Sequence, residues 1–501
     1  MEALDFLLQG FSTAASGWNL LYALIGVTFG MFVGVLPGLG PTAGTALLLP
    51  LTFGMPSVSA VIMLAGIYYG AMYGGTITSV LINTPGESAS LITCMDGYPL
   101  ARQGRAGTAL GVAAIGSFIG GMFALGLLIF VGPLVAQQAL KFGPPEYFAL
   151  VVVGLSLLVG LMGKSLVRGM IAALFGLTLA FIGIDSLTGT MRFTFGQNDL
   201  EDGLEFVSLA MGLFGLSEIF MTAEENLHGQ ATKPPKIQNM LPRREEWGPT
   251  LKSILRGSAI GSLIGLVPGT NSVIPTILSY SIEKKVAKDP SRFGNGAVEG
   301  VAGPETANNA YAGAALIPLF TLGIPSSPSV AVLLGAFIMY GLTPGPTLMQ
   351  KNPEFVWGVI ASMFIGNLIL LVMNLPLANV WAQITRIPFK ILLPNILIIM
   401  AVGSYSINNR LFDVGMMLAF GILGYFLKKV QFPLGPVLLT FVLGKILETS
   451  LMKSLVIFNG SFMGFFQRPI SATLLIIAIS IIAISLYFGT KNKGIEGDTE
   501  L

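Results

Sequence analysis

The dominant pattern along this chain is long apolar stretches that carry no charge. Residues 6–86 form a run of 81 positions without Asp, Glu, Lys, Arg or His. Residues 106–140, 306–350, 355–385 and 469–490 are equally free of charge. A helix needs about 20 apolar residues to cross a bilayer, and only helices and closed barrels keep the backbone bonded where there is no water. These runs predict an all-α polytopic membrane protein with roughly ten to twelve spanning helices, plus shorter pieces that do not reach across. The start, Met1-Glu-Ala-Leu-Asp5, lacks the basic residues of a cleaved leader, so the first helix is expected to stay in the mature protein.

Residues 224–256 differ in kind. They hold six Lys or Arg, four acids, His228 and Pro234-Pro235. They read as a solvated, cytoplasmic linker between a first transmembrane half, 1–223, and a second, 257–490, with a polar tail at 491–501.

The two halves start alike. Gly26, Gly30 and Gly34 precede Leu36-Pro37-Gly38; Gly257, Gly261 and Gly265 precede Val267-Pro268-Gly269 at a constant offset of 231. Glycine at every fourth position lets a neighbouring backbone approach one helix face, and the proline then ends or kinks the helix. Each half has a second break, at Pro85 within 81–90 and at Pro325 within 322–329. Lys284, Lys285, Lys288 and Arg292 flank the second unit, whereas 1–17 and 54–57 carry no Lys or Arg. Cytoplasmic loops collect such charges. Two arrangements satisfy this: re-entrant hairpins that enter from opposite sides as an inverted repeat, or two long broken spans with the linker outside.

Irregular backbone at membrane depth is tolerated where it is buried in protein or lines a wet cavity. The break residues are polar and neutral. Gly38, Gly40, Thr42, Asn83, Thr84, Gly86, Ser88, Gly269, Asn271, Ser326 and Ser327 are the candidate substrate-binding positions, through N–H groups at half-helix N-termini, which suit an anion. Free carbonyls and Asn or Thr oxygens suit a cation. Asn308 and Asn309, placed in a helix starting near Thr306, with Glu305 and Glu87, are the candidate ion-coupling residues; plain capping or interhelical bonding is the competing role for each. Glu305 and Glu299 are equally placed to lie in water at a helix entrance. Asp96, Arg102 and Arg105 read as a solvated turn, Tyr68, Tyr69 and Tyr73 as tight packing, and Arg386, Arg410, Lys445 and Arg468 as interface residues.

Composition narrows the chemistry. The chain is 10% charged, where a soluble domain has about 25%. A net charge of +2 offers no field for nucleic acid. One Cys and one His cannot build a zinc site or a serine-hydrolase triad, and no phosphate-binding Gly-Lys-Ser/Thr loop occurs, so neither an enzyme nor an ATP-driven pump is expected. A secondary carrier remains, with an anion channel as the alternative.

The strings at the breaks bear on that choice. Leu36-Pro-Gly-Leu-Gly-Pro-Thr42, Gly66-Ile-Tyr-Tyr-Gly-Ala-Met-Tyr-Gly-Gly75, Asn83-Thr-Pro-Gly-Glu87, Asp96-Gly-Tyr-Pro99, Ala307-Asn-Asn-Ala310 and Leu322-Gly-Ile-Pro325 together resemble the large membrane subunit of the bacterial tripartite tricarboxylate transporters. The resemblance implies a bacterial inner-membrane permease for citrate or a related carboxylate. It implies a coupling Na⁺ or H⁺ and no other cofactor, a periplasmic solute-binding protein and a small membrane subunit of about four helices. Ser326-Ser327-Pro328 departs from the family pattern after Gly-Ile-Pro, and no Lys or Arg lies in the breaks. A trianion would then rely on helix dipoles, hydroxyls and cations, and a mono- or dicarboxylate would be the easier cargo.

Overall fold

The computed structural model describes residues 2–36, 38–160, 166–185, 188–226, 237–384 and 389–497. Pro37, His228, Pro234, Pro235 and Arg386 fall outside them. The chain is an all-α polytopic membrane protein, and its one sheet among the described residues is a short antiparallel pair, Gly183–Ile184 with Met191–Arg192. Among the described residues, seven helices are long and apolar enough to cross a membrane, and five shorter apolar ones accompany them. The charge-free run at 306–350 is cut by its break into pieces too short to cross alone.

The first half contains α1 (Gly17–Val35), α2 (Gly40–Leu48), α3 (Ser57–Ile82), α4 (Leu91–Arg102) and α5 (Ala106–Ala139). A helix from Phe206 passes through a π-helical turn, Met211–Leu216, into α6 (Ser217–Asn226). The second half contains α7 (Trp247–Gly265), α8 (Val273–Val286), α9 (Glu299–Ala314) continuing as α10 (Leu316–Leu322), α11 (Pro328–Met339) and α12 (Pro353–Asn374). Lys252 and Arg256 of the charged segment therefore lie within α7. Two further helices, α13 (Leu411–Lys429) and α14 (Leu434–Ile457), pack beside them.

The glycine stripes do the same work in each half. A Cβ on Gly26, Gly30 or Gly34 would fall on the carbonyl oxygen of Met63, Ile67 or Ala71, so α1 runs parallel to α3 in backbone contact. On α7, Gly257, Gly261 and Gly265 meet the carbonyls of Gly303, Ala307 and Tyr311 of α9 in the same sense. Where α3 and α9 touch each other they run in opposite senses. Thr76 Oγ1 donates to Glu305 Oε2 at 2.7 Å, and Tyr68 Oη to the Ala312 carbonyl at 3.4 Å.

Asp96 is not in a solvated turn. It is fully buried in α4, where its Oδ1 accepts from the backbone N–H groups of Gly294, Gly296 and Ala297 at 2.8–2.9 Å. Its Oδ2 accepts from Tyr280 Oη at 2.9 Å. The loop that brings those donors, between α8 and α9, is folded around it. Arg105 instead pairs with Glu246 at 2.6 Å and ties the approach to α7 onto the first half. At the periphery Arg468 pairs with Glu146, and Arg410 with Asp413.

The stripes should be intolerant of bulk. Gly30→Leu or Gly261→Leu must push apart backbones that now touch, and is expected to lower the thermal stability of the purified protein by at least the overpacking cost of about 1–3 kcal/mol. Gly126→Leu and Gly248→Leu, where a Cβ meets nothing within 4 Å, should leave the melting curve in place. Equal stability of all four variants would show that the stripes do not set the helix pairing.

Candidate functional site

Each break has a local cause. α1 ends at Val35, and Gly38, ahead of α2, and Gly40, its first residue, take left-handed conformations, φ +86° and +57°, that a side chain resists. α3 ends on Asn83 at φ 55°, whose N–H bonds back to the Thr78 carbonyl. After α7, Gly269 turns at φ +81° and Asn271 Oδ1 accepts from the N–H groups of Val273 and Ile274 at 3.1 and 3.3 Å, capping α8. After α10, Gly323 turns at φ +72° and Ser327 Oγ accepts from Val330 N–H at 3.3 Å, capping α11.

These breaks are far apart in sequence and meet at one cavity of about 510 Å³. Residues 38–43, 85 and 87–89, 271–273 and 327–329 form its wall, together with Met72, Tyr311, Phe214, Glu218, Lys428, Phe432, Leu434 and Gly435. The first turns of α2, α8 and α11 are thus on the wall, and the N-terminal end of a helix carries partial positive charge. Thr42 Oγ1 and Ser329 Oγ lie 2.7 Å apart, which joins a break of the first half to one of the second.

Of the candidate substrate-binding residues, Gly38, Gly40, Thr42, Ser88, Asn271 and Ser327 line the cavity. Asn83, Thr84, Gly86, Gly269 and Ser326 lie off its wall. Asn83 is an exposed helix cap, Thr84 Oγ1 donates to the Ile82 carbonyl at 3.3 Å, and Gly86 is pressed on the Gly34 carbonyl. A Cβ on Gly269 would come within 2.9 Å of Leu158 N, and Ser326 Oγ donates to the Ala315 carbonyl at 2.6 Å.

The four candidate ion-coupling residues belong to one buried polar layer. Glu87 lines the cavity, is 6% exposed, and accepts from Asn308 Nδ2 at 2.6 Å, again across the two halves. Glu305 is 1% exposed and takes bonds from Thr76 and Thr93, so it does not stand in water at a helix entrance. The helix starts at Glu299 rather than near Thr306, which places Asn308 and Asn309 in its middle. Asn309 Nδ2 donates to Ser117 Oγ at 2.7 Å and to the Glu305 carbonyl at 3.2 Å. The Oδ1 atoms of Asn308 and Asn309 are buried without a donor. Neither Glu87 nor Glu305 has a Lys or Arg partner among the described residues.

Sequence reasoning missed Glu218 and Lys428. Both reach the cavity from helices without proline breaks, and Lys428 Nζ is ion-paired with Glu218 Oε2. An acid within an apolar run was the available signal for Glu218. Lys428 at a helix end reads as an ordinary interface lysine.

Comparison with known proteins fits this architecture. The chain is similar over 493 residues, at 45% identity and 98% of both lengths, to an Agrobacterium vitis protein described as "Uncharacterized 52.8 kDa protein in TAR-I ttuC' 3'region". A second Agrobacterium vitis protein, "Uncharacterized protein in TAR-II ttuC' 3'region", is 46% identical over 233 residues, covering 46% of this chain and 96% of that one. No solved structure matches. The model of the family described as "Tripartite tricarboxylate transporter TctA family" matches residues 20–439, and the chain belongs to that family.

Proposed function

We propose that this chain is the permease subunit of a binding-protein-dependent secondary transporter in the bacterial inner membrane. It imports a carboxylate, citrate or a related di- or tricarboxylate, by alternating access. The observation that carries this reading is the meeting of all four breaks at one cavity, with the first turns of three helices on its wall. Helix N-termini, hydroxyls and a lysine make a surface suited to carboxylate groups. The family supplies the expectation of a periplasmic binding protein and a small membrane subunit.

Alternating access needs two elements whose exchange opens the cavity to opposite sides. We read the two units as an inverted repeat. The antiparallel contact of α3 and α9 supports this, as does the placement of the hairpin ends. Thr52, past the end of α2, meets Tyr340 after α11. The base of the second hairpin is held instead by Arg256 on Glu283, at 2.5 Å, and by Tyr280 on Asp96.

Coupling falls to the buried layer beside the cavity. Glu87, Asn308, Asn309 and Glu305 offer carboxylate and amide oxygens, two of them without donors, to a co-transported Na⁺ or proton. The cargo's charge also requires company. The wall already holds the carboxyls of Glu87 and Glu218 against one lysine, and a multivalent anion adds repulsion that a cation relieves.

Vesicles holding this chain and its small subunit are expected to take up labelled citrate or a smaller labelled dicarboxylate only with the binding protein present and under either a Na⁺ or a proton gradient. Uptake that follows the concentration gradient alone would make the protein a channel. Glu87→Gln should reduce gradient-driven uptake at least tenfold, equivalent to about 1.4 kcal/mol, while insertion and assembly stay intact. Wild-type uptake in that variant would reduce Glu87 to a hydrogen-bonding partner of Asn308.

A further inference from the structure

Lys428 is the one Lys or Arg on the cavity wall among the described residues, and it comes from outside the four breaks. It ends α13, next to Lys429, yet the two lysines have different settings. Lys429 pairs with Glu224 at 2.9 Å and lies over the Tyr425 ring, 4.7 Å from its centroid, away from the cavity. Lys428 pairs with Glu218, whose carboxylate is itself on the wall.

The pair is neither sealed nor free. The Lys428 and Glu218 side chains are 21% and 24% exposed, so both partners reach the cavity, whereas in the pair of Arg256, 37% exposed, with Glu283 the carboxylate is sealed at 1%. Partly exposed pairs contribute little net stability, because each partner finds water or another ion at small cost. The second oxygen of Glu218 faces the first break: a Cβ on Gly38 would lie 2.9 Å from Oε1 and 3.1 Å from Thr222 Oγ1. Glycine at 38 therefore leaves the space in which this carboxylate sits, between the lysine and the entrance to α2.

We propose that Lys428 is the cationic anchor for one carboxylate of the transported anion, and that Glu218 is the internal carboxylate it exchanges for that group. The inference rests on the cavity being the transport site. Empty, the ammonium is neutralised by Glu218. Loaded, it pairs with the cargo, and Glu218 is left facing Gly38. The second carboxylate of the cargo then meets the N-terminal turns of α2, α8 and α11. Glu218 sets the affinity by competition, so that the anion can leave again.

The test uses the full chain with its small subunit. Wild type is first shown to take up labelled citrate or labelled succinate in vesicles with the binding protein. The dissociation constant of the transported probe is then measured on the purified two-subunit complex. K428Q is expected to weaken binding at least tenfold, K428R by less, and E218Q to tighten it. Equal weakening in K428Q and E218Q, restored in the double variant K428E/E218K, would overturn the proposal in favour of a structural ion pair. If K428Q does not assemble, unchanged affinity in E218Q overturns it. Ser88→Trp separates the two levels of the argument. If it abolishes uptake while K428Q binds like wild type, the anchor is wrong and the cavity stands. If it transports like wild type, or if neither probe is transported by wild type, the transport-site reading fails and the anchor with it.

Discussion

A peptide group that leaves a helix inside a bilayer has no water to bond, and must be buried in protein or face a wet cavity. This chain leaves its helices four times within apolar sequence, and the rest of the structure answers that requirement. The glycine stripes bring α1 onto α3 and α7 onto α9 at backbone distance, so each break is carried on a rigid helix pair. The antiparallel meeting of α3 and α9 then sets the breaks of the two halves against each other. Caps from Asn271 and Ser327, and the Thr42–Ser329 contact, satisfy some of the freed polar groups. Others line the cavity.

The electrostatics follow from the same arrangement. Half-helix N-termini present positive ends to the cavity without a formal charge, so the wall can attract a carboxylate with little net charge of its own. The buried layer behind it has the opposite bias. Glu87 and Glu305 are held by Asn308, Thr76 and Thr93 rather than by basic residues. An anion-friendly surface therefore adjoins a cation-friendly layer, and Glu87 belongs to both. That adjacency gives a physical route by which binding of one ion changes the affinity for the other.

The breaks were legible in the chain because their causes are local. Proline and glycine in an apolar run mark a helix end wherever the helix packs, and the offset between glycine stripes survives without any tertiary information. Asp96 was misread, and Glu305 was left open between ion coupling and a place in water, for the converse reason. What removes them from water is supplied elsewhere: N–H groups of 294–297 for Asp96, hydroxyls of Thr76 and Thr93 for Glu305. Lys428 and Glu218 were missed because neither lies at one of the four Pro/Gly breaks. Their place on the wall comes from α13 and α6 packing against a break formed hundreds of residues away in one case. Asn83 shows the opposite error, in that the most conspicuous polar residue of its break caps α3 and stays off the cavity wall.

The central claim is that the cavity at the four breaks is where the cargo sits. Cys94 is the only cysteine and is buried, so a Cys94→Ser background leaves a single introduced thiol to follow. Ser88 is exposed on the cavity wall, and Ser88→Cys in that background can be titrated with a membrane-impermeant maleimide in sealed vesicles. The account predicts labelling from the aqueous phase that the transported carboxylate slows in a saturable way. A labelling rate indifferent to that carboxylate, in vesicles that still transport it, would place the cargo elsewhere.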